Sequence, residues 1–429
     1  MKQSTKLHLI FMNLGFGAYL TFFCMVAQTN YWRQFYSNTF LTVLSMTFNV
    51  AALVGSLVAL PLDKKFQPSF FAHLHYPVSI ISLICLVPIK YIKSAVLRNV
   101  LTCVPIACSG FTASMSYPCI IACAAKIDPI LSSTLQVAVG LSSIIIQVIE
   151  DLISAYYSNF SSQEEYERSL VLNAVYYYIA GSVVLVLSYF SWLYFVKQFP
   201  HATTKQTINV PLVTSAPVQN IITGQQNGEF LNGDAVVLEV KTVQSKSISK
   251  RIFPIAAALC ANYMSGSTMF PLFVLNVPCV RTAKKLQPYT DEWSLVYLTL
   301  CQLCDFCGRM LPLNKKFVKK IPVKLVIALC FARVGFACMF PMLSLPKAKV
   351  TDGELSQMPV IQSDAFAIIN LVFFALLGSF TATIGYVKYQ DVLDNEAEKA
   401  RGSFILGAYL QTGLFLGSIS SVCLIPLFK

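Results

Sequence analysis

Apolar stretches of about 20 residues recur along the whole chain, and short polar or charged stretches separate them. A helix needs roughly 20 apolar residues to cross the hydrocarbon core of a bilayer, and in lipid every backbone amide must be bonded within the structure. The apolar stretches therefore predict membrane-spanning helices. Transmembrane β-strands would instead alternate apolar and polar residues over roughly 10 positions, and this sequence shows no such alternation.

The pattern predicts an all-α polytopic membrane protein with eleven spans. Their approximate ranges are 7–29, 39–61, 69–90, 98–125, 131–157, 169–196, 252–276, 291–313, 321–344, 364–388 and 402–428. A polar stretch rich in Thr, Gln, Asn, Gly and Ser follows the sixth span and predicts a flexible cytosolic loop. The predicted organisation is a six-helix bundle (1–197), this loop (198–250) and a five-helix bundle (251–429), in a major-facilitator-like arrangement of two bundles.

Composition and charge agree with a membrane protein. The chain has 429 residues, of which 55% are hydrophobic and 12% charged, whereas soluble proteins are roughly 25% charged. The net charge of +12 does not indicate a nucleic-acid polymer as partner, because Lys and Arg lie in short loops between apolar stretches. Their bias predicts a cytosolic N-terminus and an extracellular C-terminus. In that orientation the sequon at Asn159 is extracellular and open to glycosylation.

Three charged residues stand deep inside predicted spans. Asp305 and Arg309 are four residues apart in the eighth span, which puts them on one helical face, and Arg333 is midway along the ninth. A charge at the bilayer centre is costly, so these side chains are expected to face the bundle interior or a water-filled path. The eighth-span pair is interpreted as a solute site, with a structural ion pair as the alternative. Glu150 and Asp151 are interpreted as a solvated helix end.

Glycine and proline interrupt the first and fourth spans of each predicted half. The positions are Gly15, Gly17, Gly110 and Pro118 in the first half and Gly266, Pro271, Gly378 and Gly385 in the second. Interruptions at matching places in two halves are typical of transporters whose halves move around a central site. The 14 cysteines lie mostly in apolar stretches, and none forms a zinc-spaced cluster with histidine. No metal or cofactor is expected.

Six short motifs carry a resemblance to a known family. In chain order they are Gly15-Phe16-Gly17, Met269-Phe270-Pro271, Asp305-Phe306-Cys307-Gly308-Arg309, Ala332-Arg333 with Phe336, Glu396-Ala397-Glu398 with Ala400 and Gly402, and Gly413-Leu414-Phe415-Leu416-Gly417-Ser418. In this order and spacing, with six helices, a long loop and five helices, the chain resembles the equilibrative nucleoside transporter family. The resemblance covers nearly the whole length apart from the loop, and the motif at Asp305 is its most specific part.

The resemblance implies roles for individual residues. Asp305, Arg309, Phe22 and Ser114 would bind the solute. Phe22 stands where the family has a tryptophan that packs on the solute, and Ser114 aligns with a glutamine that contacts the nucleobase. Gating or structural roles fall on the remaining matched residues: Arg333, Gln136, Gly308, Met269, Pro271, Glu396 and Glu398.

The implied activity is facilitated diffusion of nucleosides, and of nucleobases as a further solute class, by alternating access. The resemblance implies a protein of the plasma membrane, and a monomer is expected to suffice. Two alternatives remain. One is a transporter of a sugar or an organic cation, with or without proton coupling, and the other is a membrane receptor. An enzyme is not expected, because no Ser-His-Asp set, paired histidine ligands or acidic metal cluster falls at one membrane depth.

Overall fold

The structure is a computed structural model, and it describes only part of the chain. The described residues are 3–37, 39–62, 65–128, 130–156, 162–203, 233–270, 272–280, 292–345, 350–351, 354–355, 359–394 and 396–428. Asn159 and Pro271, which the sequence singled out, lie outside them, as does much of the predicted loop. Apart from a two-stranded hairpin, Val350–Thr351 paired with Glu354–Leu355, the regular elements of the described chain are helices.

Helices of very different length make up the N-terminal half. They are α1 (Gln3–Ala18), α2 (Leu20–Ala27), α3 (Thr29–Phe35), α4 (Phe40–Leu62), α5 (Pro68–Ile89), α6 (Ala95–Ile127), α7 (Ile130–Tyr156), α8 (Gln163–Gln198) and α9 (Pro200–Thr203). Those of the C-terminal half are α10 (Gly233–Met269), α11 (Glu292–Met310), α12 (Lys315–Lys320), α13 (Val323–Ala337), α14 (Phe340–Ser344), α15 (Asp364–Lys388) and α16 (Glu396–Cys423). Short 3₁₀ turns stand at 274–276, 311–313, 389–392 and 425–428.

The polytopic all-α architecture is confirmed. Within the described ranges, nine helices are long and apolar enough to cross a membrane, and ten are if the bent pair α1–α2 counts as one span. Helix α11, which carries Asp305 and Arg309, is not among these nine, although it packs between α7 and α15. The count of eleven spans therefore stays a prediction.

The first predicted span is not one straight helix. Its two segments, α1 and α2, meet at a bend of 50°, and Tyr19 between them has φ −129° and ψ 20°, outside helical geometry. No proline explains the break. Gly15 and Gly17 let α1 approach α7 and α8 closely, since a side chain at either glycine would touch those helices, while α2 leaves in another direction. Broken helices in transporters tend to line a solute site.

One predicted boundary is corrected, and one predicted span contains an internal break. The seventh helix begins at Gly233 and not near residue 252, so the later part of the predicted loop is helical. No proline or glycine falls between 234 and 253 to stop the helix there. The ninth predicted span, 321–344, agrees with the spanning stretch Val323–Ser344. Within it the helix is divided into α13 and α14, and Pro341 opens the second segment. Proline is favoured in a first helical turn and disfavoured inside a helix.

The two halves pack against each other along two separate lines. On one side α16 contacts α4 and α6, and on the other α11 contacts α7. Short connections join most successive long helices, so neighbouring long helices are expected to run in opposite directions and the bundle has two ends. The end where α1 begins is called the N-terminal face here, and the end where α7 finishes is called the opposite face.

Arg333 on α13 connects three helices of the C-terminal half. Its Nη1 donates to the backbone oxygen of Asn262 on α10 at 2.5 Å, and its Nε donates to that of Phe374 on α15 at 3.0 Å. The guanidinium carbon lies 4.3 Å from the centre of the Phe374 ring. Backbone carbonyls and an aromatic face therefore stabilise the charge, which agrees with the structural role predicted for Arg333.

Two glycines provide the space that this guanidinium occupies. A methyl group on Gly266 would come within 3.0 Å of Nη2 of Arg333, and one on Gly378 within 2.6 Å of the same atom. The sequence pattern predicts helix interruptions at these glycines. Instead, α10 and α15 continue unbroken through Gly266 and Gly378, and the missing side chains make room for Arg333.

Gly378→Ala is expected to destabilise the protein, because the added methyl group overlaps a buried guanidinium that three helices hold in place. Overpacking of this kind costs about 1–3 kcal/mol. The thermal unfolding midpoint of the detergent-purified protein measures the effect. Gly335→Ala is the matched control, since Gly335 lies exposed on α13 and a methyl group there has no neighbour within 4 Å. Equal midpoints for the two variants would contradict the assignment.

Candidate functional site

Asp305 and Arg309 form an ion pair on one face of α11. Nε of Arg309 lies 2.7 Å from Oδ2 of Asp305, and Nη2 lies 3.4 Å from Oδ1. The placement on one face that the spacing predicts is thereby confirmed. Nη1 of Arg309 donates to Oε1 of Gln136 on α7 at 2.8 Å, so the pair in the C-terminal half is joined to the N-terminal half.

A cavity of about 250 Å³ lies between the two halves at the level of this ion pair. Asp305 and Arg309 both border it, and their side chains are 25% and 14% exposed. Helices of both halves contribute lining residues, from α2, α4, α6 and α7 on one side and from α10, α11, α13, α15 and α16 on the other. The charged pair therefore faces a space in the bundle centre and is not sealed in dry packing.

The polar part of the lining carries donors and acceptors on several helices. Besides the ion pair it contains Gln136, Gln302 and Asn49. Nε2 of Gln136 is buried and makes no hydrogen bond of ordinary geometry to the described residues, while its Oε1 accepts one from Arg309. A buried donor without a partner is costly, and a solute in the cavity could accept a bond from it.

Aromatic rings form the rest of the lining. Phe22 on α2 and Phe48 on α4 lie with their ring centres 4.9 Å apart, and Tyr19 and Tyr117 lie 5.0 Å apart. All four rings border the cavity. Tyr19 is the residue at the break of the first span, so the bend brings an aromatic side chain into the site. The cavity thus offers flat apolar surfaces beside a charged, hydrogen-bonding wall.

Contacts between the halves lie on both sides of the cavity. Toward the N-terminal face, Oγ of Ser403 on α16 donates to the backbone oxygen of Pro118 on α6 at 3.2 Å. Toward the opposite face, Nδ2 of Asn49 donates to Oγ of Ser418 at 2.7 Å, and Thr299 on α11 donates to the Asp151 carboxylate on α7. Both lines of contact between the halves therefore include hydrogen bonds donated by short polar side chains, to a backbone carbonyl in one case and to side chains in the others.

Ser114 does not border the cavity, unlike the other three residues predicted to bind the solute. It is buried on α6, its Oγ donates to the backbone oxygen of Phe111 at 2.9 Å, and it lies against Gly55 of α4. The alignment with a base-contacting residue therefore fails to place Ser114 at the cavity wall.

The remaining predicted residues lie at helix contacts. Gly308 allows α11 to approach α15, since a methyl group there would overlap Ser379. Met269 is buried at the end of α10. Glu398 accepts a hydrogen bond from Nη1 of Arg251 at 3.2 Å and so joins the start of α16 to α10. Helix α16 begins at Glu396, whose side chain is outside the described part.

The burial of Glu150 contradicts the prediction that this residue lies at a solvated helix end. Its side chain is 1% exposed, and Oε2 accepts hydrogen bonds from Gln28 and Asn173, each at 3.0 Å. The prediction was wrong because α7 continues to Tyr156 and because the α2–α3 junction and α8 cover this turn. Gln28 and Asn173 are amides inside apolar stretches, which is a signal for a buried polar partner, but the sequence alone does not pair them with Glu150.

No protein-family model matches the sequence, and no curated protein matches it. Solved structures do match. The proton:xylose symporter XylE, bound to 6-bromo-6-deoxy-D-glucose, superposes with a TM-score of 0.61 at 11% identity, over 99% of this chain and 90% of that one. XylE is described as a protein of the major facilitator superfamily. The chain has the major facilitator fold.

Two further structures support this fold. A bacterial homologue of the iron transporter ferroportin, in an outward-facing state, gives a TM-score of 0.60 at 10% identity, over 99% of this chain and 93% of that one. The E. coli fucose:proton symporter FucP gives 0.56 at 12% identity, over 98% and 96%. At such identities the likeness shows the architecture, and the predicted two-bundle arrangement agrees with it.

Gln136→Leu is expected to destabilise the protein, because Nη1 of Arg309 then loses the acceptor that α7 provides. Hydrogen bonds to charged groups contribute about 1.5–3 kcal/mol. Thermal unfolding of the purified protein measures the loss. The control is Gln34→Leu, which removes an exposed 2.9 Å bond to Glu167 and should change stability by less than about 0.5 kcal/mol. If both variants unfold at the same temperature, Gln136 does not join the halves as the distances indicate.

Proposed function

We propose that the protein is a membrane transporter that moves a small polar organic solute by alternating access. The observation that carries the proposal is the Asp305–Arg309 ion pair at the edge of a cavity between two halves of a major facilitator fold. Movement of the halves about this cavity would open it to one membrane face and then to the other. The inter-half contacts on both sides of the cavity are hydrogen bonds that can break in turn.

The lining favours a solute that carries a sugar ring. Asp305 accepts hydrogen bonds from hydroxyl groups, and Nε2 of Gln136 is a buried donor that makes no hydrogen bond of ordinary geometry in the described part of the chain. Phe22 and Phe48 offer faces on which a flat ring or the apolar side of a sugar can pack. A free sugar and a nucleoside both combine these features.

Sugar transport, the alternative drawn from the sequence, fits the solved neighbours better than nucleoside transport. XylE and FucP are named as proton-coupled symporters of xylose and fucose. Nucleoside transport rests on the motif resemblance and on Phe22, which lies at the cavity as the resemblance requires. A stacked base would gain about 1–3 kcal/mol from such a ring.

The charge of the lining disfavours the organic-cation alternative. Among the described lining residues the ionised groups are Asp305, Arg309 and Arg333, so positive charge is in excess. A cationic solute would be repelled at short range. The orientation with a cytosolic N-terminus, the plasma membrane and a monomer remain proposals from the sequence.

Asp305→Asn is expected to reduce solute exchange about tenfold to a hundredfold, because it removes a charged acceptor at the cavity and unpairs Arg309. Counterflow of labelled adenosine, uridine, D-glucose and D-xylose into preloaded proteoliposomes measures the effect and identifies the solute class. Asp394→Asn is the control, since that side chain is 81% exposed in a surface ion pair.

Wild-type protein that exchanges none of the four solutes would remove the support for a sugar-ring substrate. A receptor would bind one of them without counterflow. Unchanged exchange by Asp305→Asn, with normal reconstitution, would exclude the ion pair from the solute site.

A further inference from the structure

A second polar cluster lies inside the N-terminal half, away from the central cavity. Its centre is the buried carboxylate of Glu150, which accepts hydrogen bonds from Nε2 of Gln28 and Nδ2 of Asn173, each at 3.0 Å. Gln28 is 1% exposed and Asn173 is 5% exposed. The cluster joins α7 to the α2–α3 junction and to α8, and none of its three residues lines the cavity.

The two amides leave hydrogen-bonding capacity unused at this carboxylate. Oε1 of Gln28 and Oδ1 of Asn173 are buried acceptors without a partner among the described residues. A buried acceptor without a partner destabilises the folded protein, and both of these acceptors belong to amides that contact one carboxylate. A protonated Glu150 would carry an O–H donor that needs a nearby acceptor, and either of these amide oxygens can provide one.

Rotation of one amide about its last torsion makes the cluster suitable for either charge state. With both amides donating, the cluster holds a carboxylate. When one amide turns over, its oxygen takes the position of its nitrogen, about 3.0 Å from Oε2 of Glu150, and accepts a bond from a carboxylic acid. Amide nitrogen and oxygen are interchangeable in shape, so the change requires no repacking.

The cluster adjoins one of the contacts between the halves. Asp151, the next residue on α7, accepts hydrogen bonds from Gln147 at 2.9 Å and from Thr299 of the C-terminal half. Separation of the halves at this contact would change the surroundings of the turn that carries Glu150. Proton binding and conformation would then be linked reciprocally.

Two tyrosines of α8, Tyr177 and Tyr178, lie near the charge of Glu150. Cys24 on α2 and Asp151 on α7 lie near Tyr177 in turn. The Tyr177 hydroxyl already donates to the backbone oxygen of Ile146 at 2.5 Å. Glu150 is therefore the group in this cluster whose side chain has partners suited to both a proton-free and a proton-bound form.

We propose that Glu150 is a proton-binding site and that a proton bound there crosses the membrane with the solute. The inference rests on the transport function proposed above. The proton comes from water at the opposite face, occupies an oxygen of Glu150, and returns to water after the halves have changed position. Asp305 is less suited to this role, since protonating it would leave Arg309 without its counter-charge.

Infrared spectroscopy tests proton binding without any solute. Wild-type protein should show a pH-dependent carboxylic-acid carbonyl band that is absent from Glu150→Gln and present in Glu164→Gln, which changes an exposed residue in the first turn of α8. Gln28→Met should shift the midpoint of this band to higher pH, because the carboxylate loses a donor. Identical spectra for wild type and Glu150→Gln down to about pH 4 would overturn the assignment.

Proteoliposomes that contain a pH-sensitive dye test coupling. Adding adenosine, or D-glucose if adenosine is not exchanged, should acidify the lumen with wild-type protein and with Glu164→Gln. Glu150→Gln should lose the acidification while it still exchanges labelled solute. Exchange without acidification in the wild type would overturn coupling and leave the transport function intact, and acidification that persists in Glu150→Gln would overturn the role of Glu150. Absence of exchange in the wild type would count against the transport function itself.

Discussion

A guanidinium inside an apolar helix bundle needs acceptors, and the C-terminal half is organised by this requirement. Arg309 meets it with a carboxylate on its own helix and an amide from α7. Arg333 meets it with two backbone carbonyls and an aromatic ring. In the first case the compensation leaves one side of the pair open to the cavity. In the second, the guanidinium packs against Gly266 and Gly378 and also borders the cavity, but it is bonded only within its own half.

The two arginines therefore differ in what they join. Arg333 is bonded within the C-terminal half, and Arg309 is also bonded to the N-terminal half. Arg333 joins α10, α13 and α15, so those helices are expected to move together. The bond from Arg309 to Gln136 instead crosses between the halves, at the level where the cavity is. A group that contacts both the solute space and the other half is well placed to make the arrangement of the halves depend on whether a solute is bound.

Much of the architecture can be predicted from the sequence, because apolar stretches of spanning length admit few other folds. The pairing of Asp305 with Arg309 also follows, since it depends on helical spacing alone. An interruption of the first span follows from Gly15 and Gly17, but its place at Tyr19 and its angle do not, because α1 continues as a helix through both glycines. The site of Ser114 depends on how α4 and α6 pack, and the burial of Glu150 depends on helices distant in sequence.

The hydrogen bonds of Asn49 can break and form again reversibly when the two halves move. One short amide on α4 reaches two serines of the other half, Ser418 at 2.7 Å and Ser267 at 3.5 Å, and those serines also bond each other at 2.7 Å. Each of the three groups can exchange its protein partner for a water molecule of similar hydrogen-bonding strength. The two conformations on either side of such an exchange would differ little in enthalpy, which favours fast and reversible cycling.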